Sequence, residues 1–389
     1  MIRKRHGFAG IFRHSLGWMV AAWAACGLGG AIPQARAEAP PERLAMLARG
    51  VNITNWFRFP ADGSLRALQG YMDDAAVAKL KRAGFTYVRL PIGPEAVMRG
   101  DGIEGGKLEA IIAATKRFQR AGLAVMVEMH PQNLGNWVLQ DSAPARQRVL
   151  GFWRDLAPAL AQLPPELTFP EPLNEPTLPD AAQWDGLQAQ VLQIIRAAMP
   201  RHTVVLTGTN WGSIDGLLQV TPVADPNVVY TFHTYEPQLF ATLVAWEPGV
   251  DQAALGRLPF PVANRQTCEA TVAGIQHQRT RDIANYWCSE PHDAATIATN
   301  IGRAADWSKR HRVSVAMTEF GADRRLNPAA RLAYLEAVRR AAEQHRIPWA
   351  LWGLDDSNGF GIEPGRFTAG TELQPGILRA LGLASADRR

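Results

Sequence analysis

Cysteine is scarce in this 389-residue chain, three in all, and no metal-binding cluster is read around any of them. That leaves no ground for a structural zinc module. A Gly-x-Gly-x-x-Gly turn is missing after the first candidate strand, which disfavours a dinucleotide-binding sheet. No phosphate-binding loop occurs elsewhere, so no cofactor is expected. Low-complexity linkers and solenoid repeats are also absent, and nothing marks off a second module. Nor does the chain carry an unbroken apolar run of the roughly 20 residues needed to span a bilayer.

The nearest approach to such a run is N-terminal. Arg3, Lys4, Arg5 and Arg13 form a cationic head, Leu16 to Ile32 follows without a charge, and Ala35-Arg36-Ala37 comes next. Gly27, Gly29 and Gly30 interrupt the apolar stretch, so a cleaved signal peptide over residues 1–37 is expected rather than a membrane anchor. The expectation is therefore a secreted or periplasmic protein, with residues 38–389 forming one domain. Removing the segment also removes an apparent basic surplus. Of 41 Lys and Arg against 36 Asp and Glu, five bases and no acid lie in residues 1–37, leaving 36 of each. A neutral chain offers no electrostatic footprint for nucleic acid. Cys268 and Cys288 then remain. They could stay free, or one could ligate a metal, but an oxidising compartment favours a disulfide stapling a loop.

What is present is an alternation. Apolar, β-rich runs occur at Gly50–Ile53, Tyr87–Pro91, Ala124–Met129, Leu167–Leu173, Thr203–Leu206, Val228–Phe232, Ser314–Met317 and Pro348–Trp352. Helical spacing falls between them, at Asp74–Ala83, Leu108–Ala121, Arg146–Leu160, Ala181–Ala198, Asp293–Arg310 and Asn327–Gln344. Eight strands alternating with helices predict an α/β fold of parallel βαβ units closed into a (β/α)₈ TIM barrel. An open doubly wound sheet is the alternative. One connection is far longer than an ordinary βα loop. This insertion, residues 236–292 after the sixth strand, carries Trp246, Phe260, Tyr286, Trp287 and both remaining cysteines. It reads either as a flap over the barrel mouth or as an excursion shielding the barrel side. The flap is favoured, because barrel sites form on the βα face.

Polar groups gather at the C-terminal ends of these strands. Arg89 ends the second, Glu128 and His130 the third, Asn174 and Glu175 the fourth, His233 and Tyr235 the sixth, Glu319 the seventh and Trp352 the eighth. Strand ends converge at one face of a barrel, and a glutamate buried there is costly unless paired or used. Hydrolysis of a glycosidic bond needs two facing carboxyls, one protonated and one ionised. Glu175 and Glu319 suit that pair. Asn174 could bind the hydroxyl next to the reacting carbon, and Arg89 and Tyr235 could keep one carboxylate charged. His130 and His233 could order the surrounding network. Physics alone leaves open which glutamate is the acid. Each residue also has a structural alternative: a helix-start glutamate before Pro176, a surface carboxylate at 319, a barrel-closing Arg89, a core Trp352.

These residues resemble glycoside hydrolase family 5. Leu173-Asn174-Glu175-Pro176 is similar to its fourth-strand signature, and Arg49-Gly50-Val51-Asn52, Val88-Arg89-Leu90-Pro91 and Glu128-Met129-His130 to its first three strands. His233-Thr234-Tyr235, Thr318-Glu319-Phe320-Gly321 and Leu351-Trp352-Gly353 resemble the sixth to eighth. The resemblance implies that Glu175 is the acid/base, Glu319 the nucleophile and Trp352 an aromatic platform under the reacting sugar. It further implies double displacement between carboxyls about 5–5.5 Å apart. One departure is Pro131-Gln132-Asn133, where the family often has a second histidine or an asparagine directly after the first. Gly359-Phe360-Gly361-Ile362 resembles a segment of endoglucanase-like members.

The expectation is a retaining, endo-acting hydrolase of β-1,4-glucan whose partner is a β-linked polysaccharide or oligosaccharide, acting as a monomer. A β-mannanase or exo-β-glucanase is the alternative within the family, and an inactive carbohydrate-binding barrel is the alternative outside it. Trp56, Phe57, Trp137 and Trp211 could stack on sugars or pack in the core. Asp355 and Asp356 could bind hydroxyls or cap a loop, and Glu128 could support the histidines or join an ion pair.

Overall fold

The structure is a computed structural model that describes residues 38–132, 139–140, 142–362 and 365–383. The N-terminal segment read as a signal peptide, together with Asn133 and Trp137, lies outside the described residues. Eight parallel strands are present: β1 (Arg49–Asn52), β2 (Tyr87–Ile92), β3 (Ala124–Met129), β4 (Thr168–Glu171), β5 (Val204–Thr207), β6 (Val228–Thr234), β7 (Ser314–Phe320) and β8 (Trp349–Leu351). The hydrogen-bonded order is β4-β3-β2-β1-β8-β7-β6-β5. β4 and β5 lie side by side without a ladder, which brings the ends of the sheet together as a barrel. Every residue of these eight strands but Arg49 is buried, as a sheet covered on both faces requires.

Among the described residues, eight of the helices alternate with the strands: α1 (Asp74–Ala83), α2 (Gly105–Arg120), α3 (Ala143–Leu160), α4 (Ala181–Ala198), α5 (Ile214–Leu217), α6 (Ala294–His311), α7 (Pro328–Gln344) and α8 (Pro375–Ala380). Their starts are written locally. Asp73, Ser142, Asp180, Ser213, Asp293 and Asn327 each accept a hydrogen bond from a first-turn amide of the helix they precede. Gly84, at φ +103°, adopts the left-handed cap that turns α1 back toward β2. The predicted six long helices are all found, within three residues at each end. After β5 there is only the single turn of α5.

The barrel interior is layered by the two-residue period of the strands. At the bottom Tyr87, Met126, Phe169, Val205 and Ala350 form an apolar plug with Leu47. Gly50 belongs to this layer for a steric reason: a Cβ there would collide with the Tyr87 ring. Two residues further along the same strands the inward positions are Asn52, Arg89, Glu128 and Glu171, all fully buried. A hydrophobic floor therefore carries a charged layer, and the top face opens above that.

The insertion corrects the flap expectation in part. Its four short helices, Gln238–Ala241, Gln252–Leu255, Arg265–Val272 and Gln278–Ser289, include two joined by the Cys268–Cys288 disulfide. Phe240 stacks on Trp287 at 4.9 Å and packs with Phe260 against Tyr334 of α7. Backbone bonds from Asp323 to Ala241 and from Asn327 to Gly256 tie it to the start of α7. Most of it thus shields the barrel side, because Phe240, Phe260 and Trp287 are buried beside an outer helix, while Tyr286 is exposed. Gln238, Thr242 and Trp246 are the part that reaches the barrel mouth.

Candidate active site

The charged layer is organised by Arg89. Its Nε and Nη2 donate to the two carboxylate oxygens of Glu171, both at 2.8 Å. Nη1 donates to Glu319 Oε1 at 2.5 Å and to Asn52 Oδ1 at 3.1 Å, and Nη2 also reaches Asn174 Oδ1 at 3.0 Å. Asn52 is itself anchored by donating to the backbone carbonyls of Thr318 and Leu351. The surrounding carboxylates outweigh the burial cost and hold the guanidinium well above its ordinary range.

Glu319 reaches the cleft through an irregularity. The β6–β7 register pairs Phe232 with Met317 and then His233 with Glu319, so Thr318 is an extra residue on β7. The bulge lets two consecutive side chains face inward. Thr318 Oγ1 meets the Thr231 hydroxyl and, at 3.2 Å, His233 Nε2, while Glu319 reaches Arg89. Tyr235 donates its hydroxyl to Glu319 Oε2 at 2.9 Å. Burial alone would raise the pKa of this carboxyl. The positive His233 and Arg89, and the Tyr235 hydrogen bond, outweigh it and hold Glu319 below its ordinary value.

Glu175 stands in the opposite condition. β4 ends at Glu171, two residues short of the sequence expectation, because Pro170 and Pro172 have no amide to give a ladder. The chain then bends, and Glu175 takes φ +42°. A left-handed non-glycine residue costs roughly 1–2 kcal/mol, and such strain clusters at working sites. Its side chain is 25% exposed against 4% for Glu319, so it fronts the cavity. Burial, with the nearby Glu319 charge, pushes its pKa up, against a lowering hydrogen bond from His233. His233 Nδ1 lies 3.0 Å from Glu175 Oε1 and 3.6 Å from Glu319 Oε2. Burial disfavours the imidazolium, but both carboxylates draw His233 toward its charged form.

His130 is held neutral. Burial and the Arg58 charge push it well below its ordinary pKa. Its Nδ1 lies 2.6 Å from Glu128 Oε1, and its Nε2 is 3.1 Å from Asn174 Nδ2. The chain is self-consistent when Nδ1 carries the proton and Nε2 accepts from Asn174. Glu128 thus serves both roles left open for it, as His130 partner and as a 3.5 Å ion-pair neighbour of Arg89. Burial raises its pKa to about 7.

All eight residues singled out from the sequence meet here. Asn174, Glu175, His130, Tyr235, Glu319 and Trp352 line one cavity of about 640 Å³ with Arg58, Trp211, Trp246 and Phe360. Arg89 lies directly beneath. A second cavity of about 370 Å³ continues past Glu175 and His233 toward Asp215, Asn300 and Arg303. Trp211 is 60% exposed at the join, whereas Trp56 and Phe57 are core. Asp355 proves to be a loop cap, accepting from Thr54, Asn55 and Tyr71. Glu175, His233 and Glu319 bring one ligand atom each within 4.8 Å of one another, the one such group among the described residues. Arg89 at 2.5 Å from Glu319 makes it a poor cation site.

Glu171, Asn52, Thr318 and Arg58 are site residues that the structure adds. For Glu171 the signal was available: a carboxylate inside an apolar strand needs a partner, as Glu128 does.

The family model described as cellulase (glycosyl hydrolase family 5) matches residues 47–358. The chain belongs to that family. Endoglucanase 3 of Fibrobacter succinogenes is 29% identical over 367 residues, covering 87% of this chain and 53% of that protein. Endoglucanase C of Acetivibrio thermocellus is 24% identical over 200 residues, 49% of this chain and 58% of its own length. The chain thus spans about half the length of these curated relatives. Among solved structures, an endoglucanase of Thermotoga maritima superposes with a TM-score of 0.70 at 24% identity, covering 87% of this chain and 98% of that one. The cellulose synthase subunit Z of Clostridioides difficile gives 0.67 at 22%, covering 86% and 99%. These likenesses establish the barrel as the family 5 fold. Among the described residues, no helix is long and apolar enough to cross a membrane.

Proposed function

We propose that this family 5 member is a retaining, endo-acting hydrolase of β-1,4-glucan. One observation carries the reading. Two glutamates face one cavity with oxygens within 4.8 Å, one held below and one pushed above the ordinary carboxylate range. That separation is what a two-carboxyl retaining mechanism requires, at a spacing compatible with about 5–5.5 Å between carboxyls.

In the first step Glu319 attacks the anomeric carbon while Glu175 gives its proton to the glycosidic oxygen. The leaving sugar departs as an alcohol, and an ester joins the glycone to Glu319. In the second, Glu175 takes a proton from water, the water oxygen displaces Glu319, and the sugar leaves with its original configuration. Asn174 keeps a second Nδ2 proton for the 2-hydroxyl, since Arg89 fixes its Oδ1 and His130 accepts the first. Trp352 is the platform beneath the reacting sugar.

Endo action is supported by space on both sides of Glu175, the 640 and 370 Å³ cavities sharing Trp211, Tyr235 and Gln238. Residues 38–389 act in this reading as one exported, monomeric domain after loss of residues 1–37. The test is hydrolysis of carboxymethylcellulose, mannan and laminarin, with product anomers followed by NMR. Cleavage of mannan alone would sink the glucan assignment, and inverted product would sink retention. Viscosity should fall faster than reducing ends rise, whereas release of disaccharides from chain ends would make the enzyme exo-acting.

A further inference from the structure

Arg58 lies in the β1–α1 connection, and its backbone is pinned from two neighbouring loops. The Gly93 amide donates to Phe57 O at 3.1 Å, and Gln132 Nε2 donates to Arg58 O at 3.1 Å. The guanidinium lies over two rings, its Cζ 3.8 Å from the centroid of Phe59 and 4.9 Å from that of Trp352. Its Nε and Nη1 are buried with no hydrogen-bond partner. Nη2 remains as the edge accessible from the cavity that Arg58 lines. Among the described residues no carboxylate comes within ion-pair distance. Glu319, Asp356, Glu128 and Glu175 act on Arg58 through space only, while burial pulls its pKa down.

A cation in this position is expensive. Arginine cannot shed its charge, and a desolvated charge without a hydrogen-bonded partner costs more than a neutral group would. A saccharide filling the cleft strips water from Nη2. A neutral hydroxyl would replace that water with a hydrogen bond in which only the guanidinium is charged, whereas a carboxylate adds the attraction of an opposite charge and a shorter, doubly charge-assisted bond. An anionic group in this cavity is drawn to the Arg58 edge and repelled by the ionised Glu319. One face of the subsite is therefore selective in both sign and place.

We propose that Arg58 is a specificity residue for a carboxylate on the substrate, so that the cleft takes a β-glucan bearing a uronic acid unit beside the reacting sugar. The proposal rests on reading this cavity as a saccharide cleft. It is tested with the full chain carrying Glu175→Gln, which lets ligands survive, by calorimetric titration with cellotetraose and with β-1,4-linked tetraglucuronate.

Tetraglucuronate is expected to bind about 10-fold more tightly at low salt, with the advantage shrinking as NaCl is added. Adding Arg58→Gln should remove the advantage while cellotetraose affinity falls less than about 3-fold, and Arg58→Lys should retain part of it. Equal affinity for the two ligands before Arg58 is altered overturns the proposal, and so does an equal loss of both in Arg58→Gln. The first comparison needs no change at Arg58, so a misfolded variant does not blunt it. Binding is read apart from turnover. If the unaltered chain hydrolyses neither ligand, the hydrolase reading fails while the Arg58 result stands; if neither ligand binds, both fail.

Discussion

Glu171 holds both Nε and Nη2 of Arg89 at 2.8 Å, and this two-point grip sets the guanidinium plane that presents Nη1 to Glu319. Both partners are fully buried, so the pair matters more for what its loss leaves behind than for what it gains.

Glu171→Ala should accordingly destabilise the fold by about 3–5 kcal/mol, the usual penalty for stranding one member of a buried pair. Urea unfolding of the variant measures it. A loss below about 1 kcal/mol would mean that Glu128 and Glu319 compensate Arg89 unaided.

The two glutamates should separate by leaving group. Glu319→Ala is expected to abolish turnover of cellulose and of aryl cellobiosides alike, since each needs the covalent step. Glu175→Ala should cost about 10²–10⁴-fold on cellulose but far less on a dinitrophenyl cellobioside, whose phenolate leaves without a proton. Equal losses on both substrates in Glu175→Ala would remove it as the acid.

The pH profile of kcat/KM should be a bell with signed responses. Glu319 must be ionised, so activity is lost as pH falls through its depressed pKa; Glu175 must be protonated, so activity is lost as pH rises through its elevated one. Tyr235→Phe removes a hydrogen bond to Glu319 only, and should move the acid limb upward while the alkaline limb stays. His233→Asn removes a lowering influence on both carboxyls, so both limbs should move upward. An alkaline limb that moves down in His233→Asn would contradict the assignment.

The Cys268–Cys288 bridge spans 20 residues of sequence inside the insertion. Loop-closure entropy for that span corresponds to about 3 kcal/mol. Replacing both cysteines with serine should make the insertion a site of early proteolytic cleavage, mapped by mass spectrometry. Cleavage rates unchanged from the parent would show that the Phe240–Trp287–Tyr334 packing suffices.

Much of this site was legible because its signals are local. Charged or polar residues at the ends of apolar strands mark a barrel mouth, and Asn174-Glu175 and Glu319 stood at two such ends. The long insertion was legible as an insertion, but not its resting place, because aromatic residues suit a cleft wall and a buried flank equally well.

By itself the sequence determined the alternation of eight strands with helices, and it put Glu175 and Glu319 at the ends of two of those strands. The closure of the sheet into a barrel was its expectation, with an open sheet as the alternative. Only the tertiary structure decided how the glutamate pair is differentiated. Arg89 meets Glu171 across 82 residues and Glu319 across 230, and no short-range pattern encodes which buried charges neutralise which. The β7 bulge depends on the register of a neighbouring strand, and the left-handed turn at Glu175 on packing that outweighs local preference. Arg58 is the clearest case. An arginine in a loop reads as a solvated surface charge until the fold brings Trp352, 294 residues away, against it.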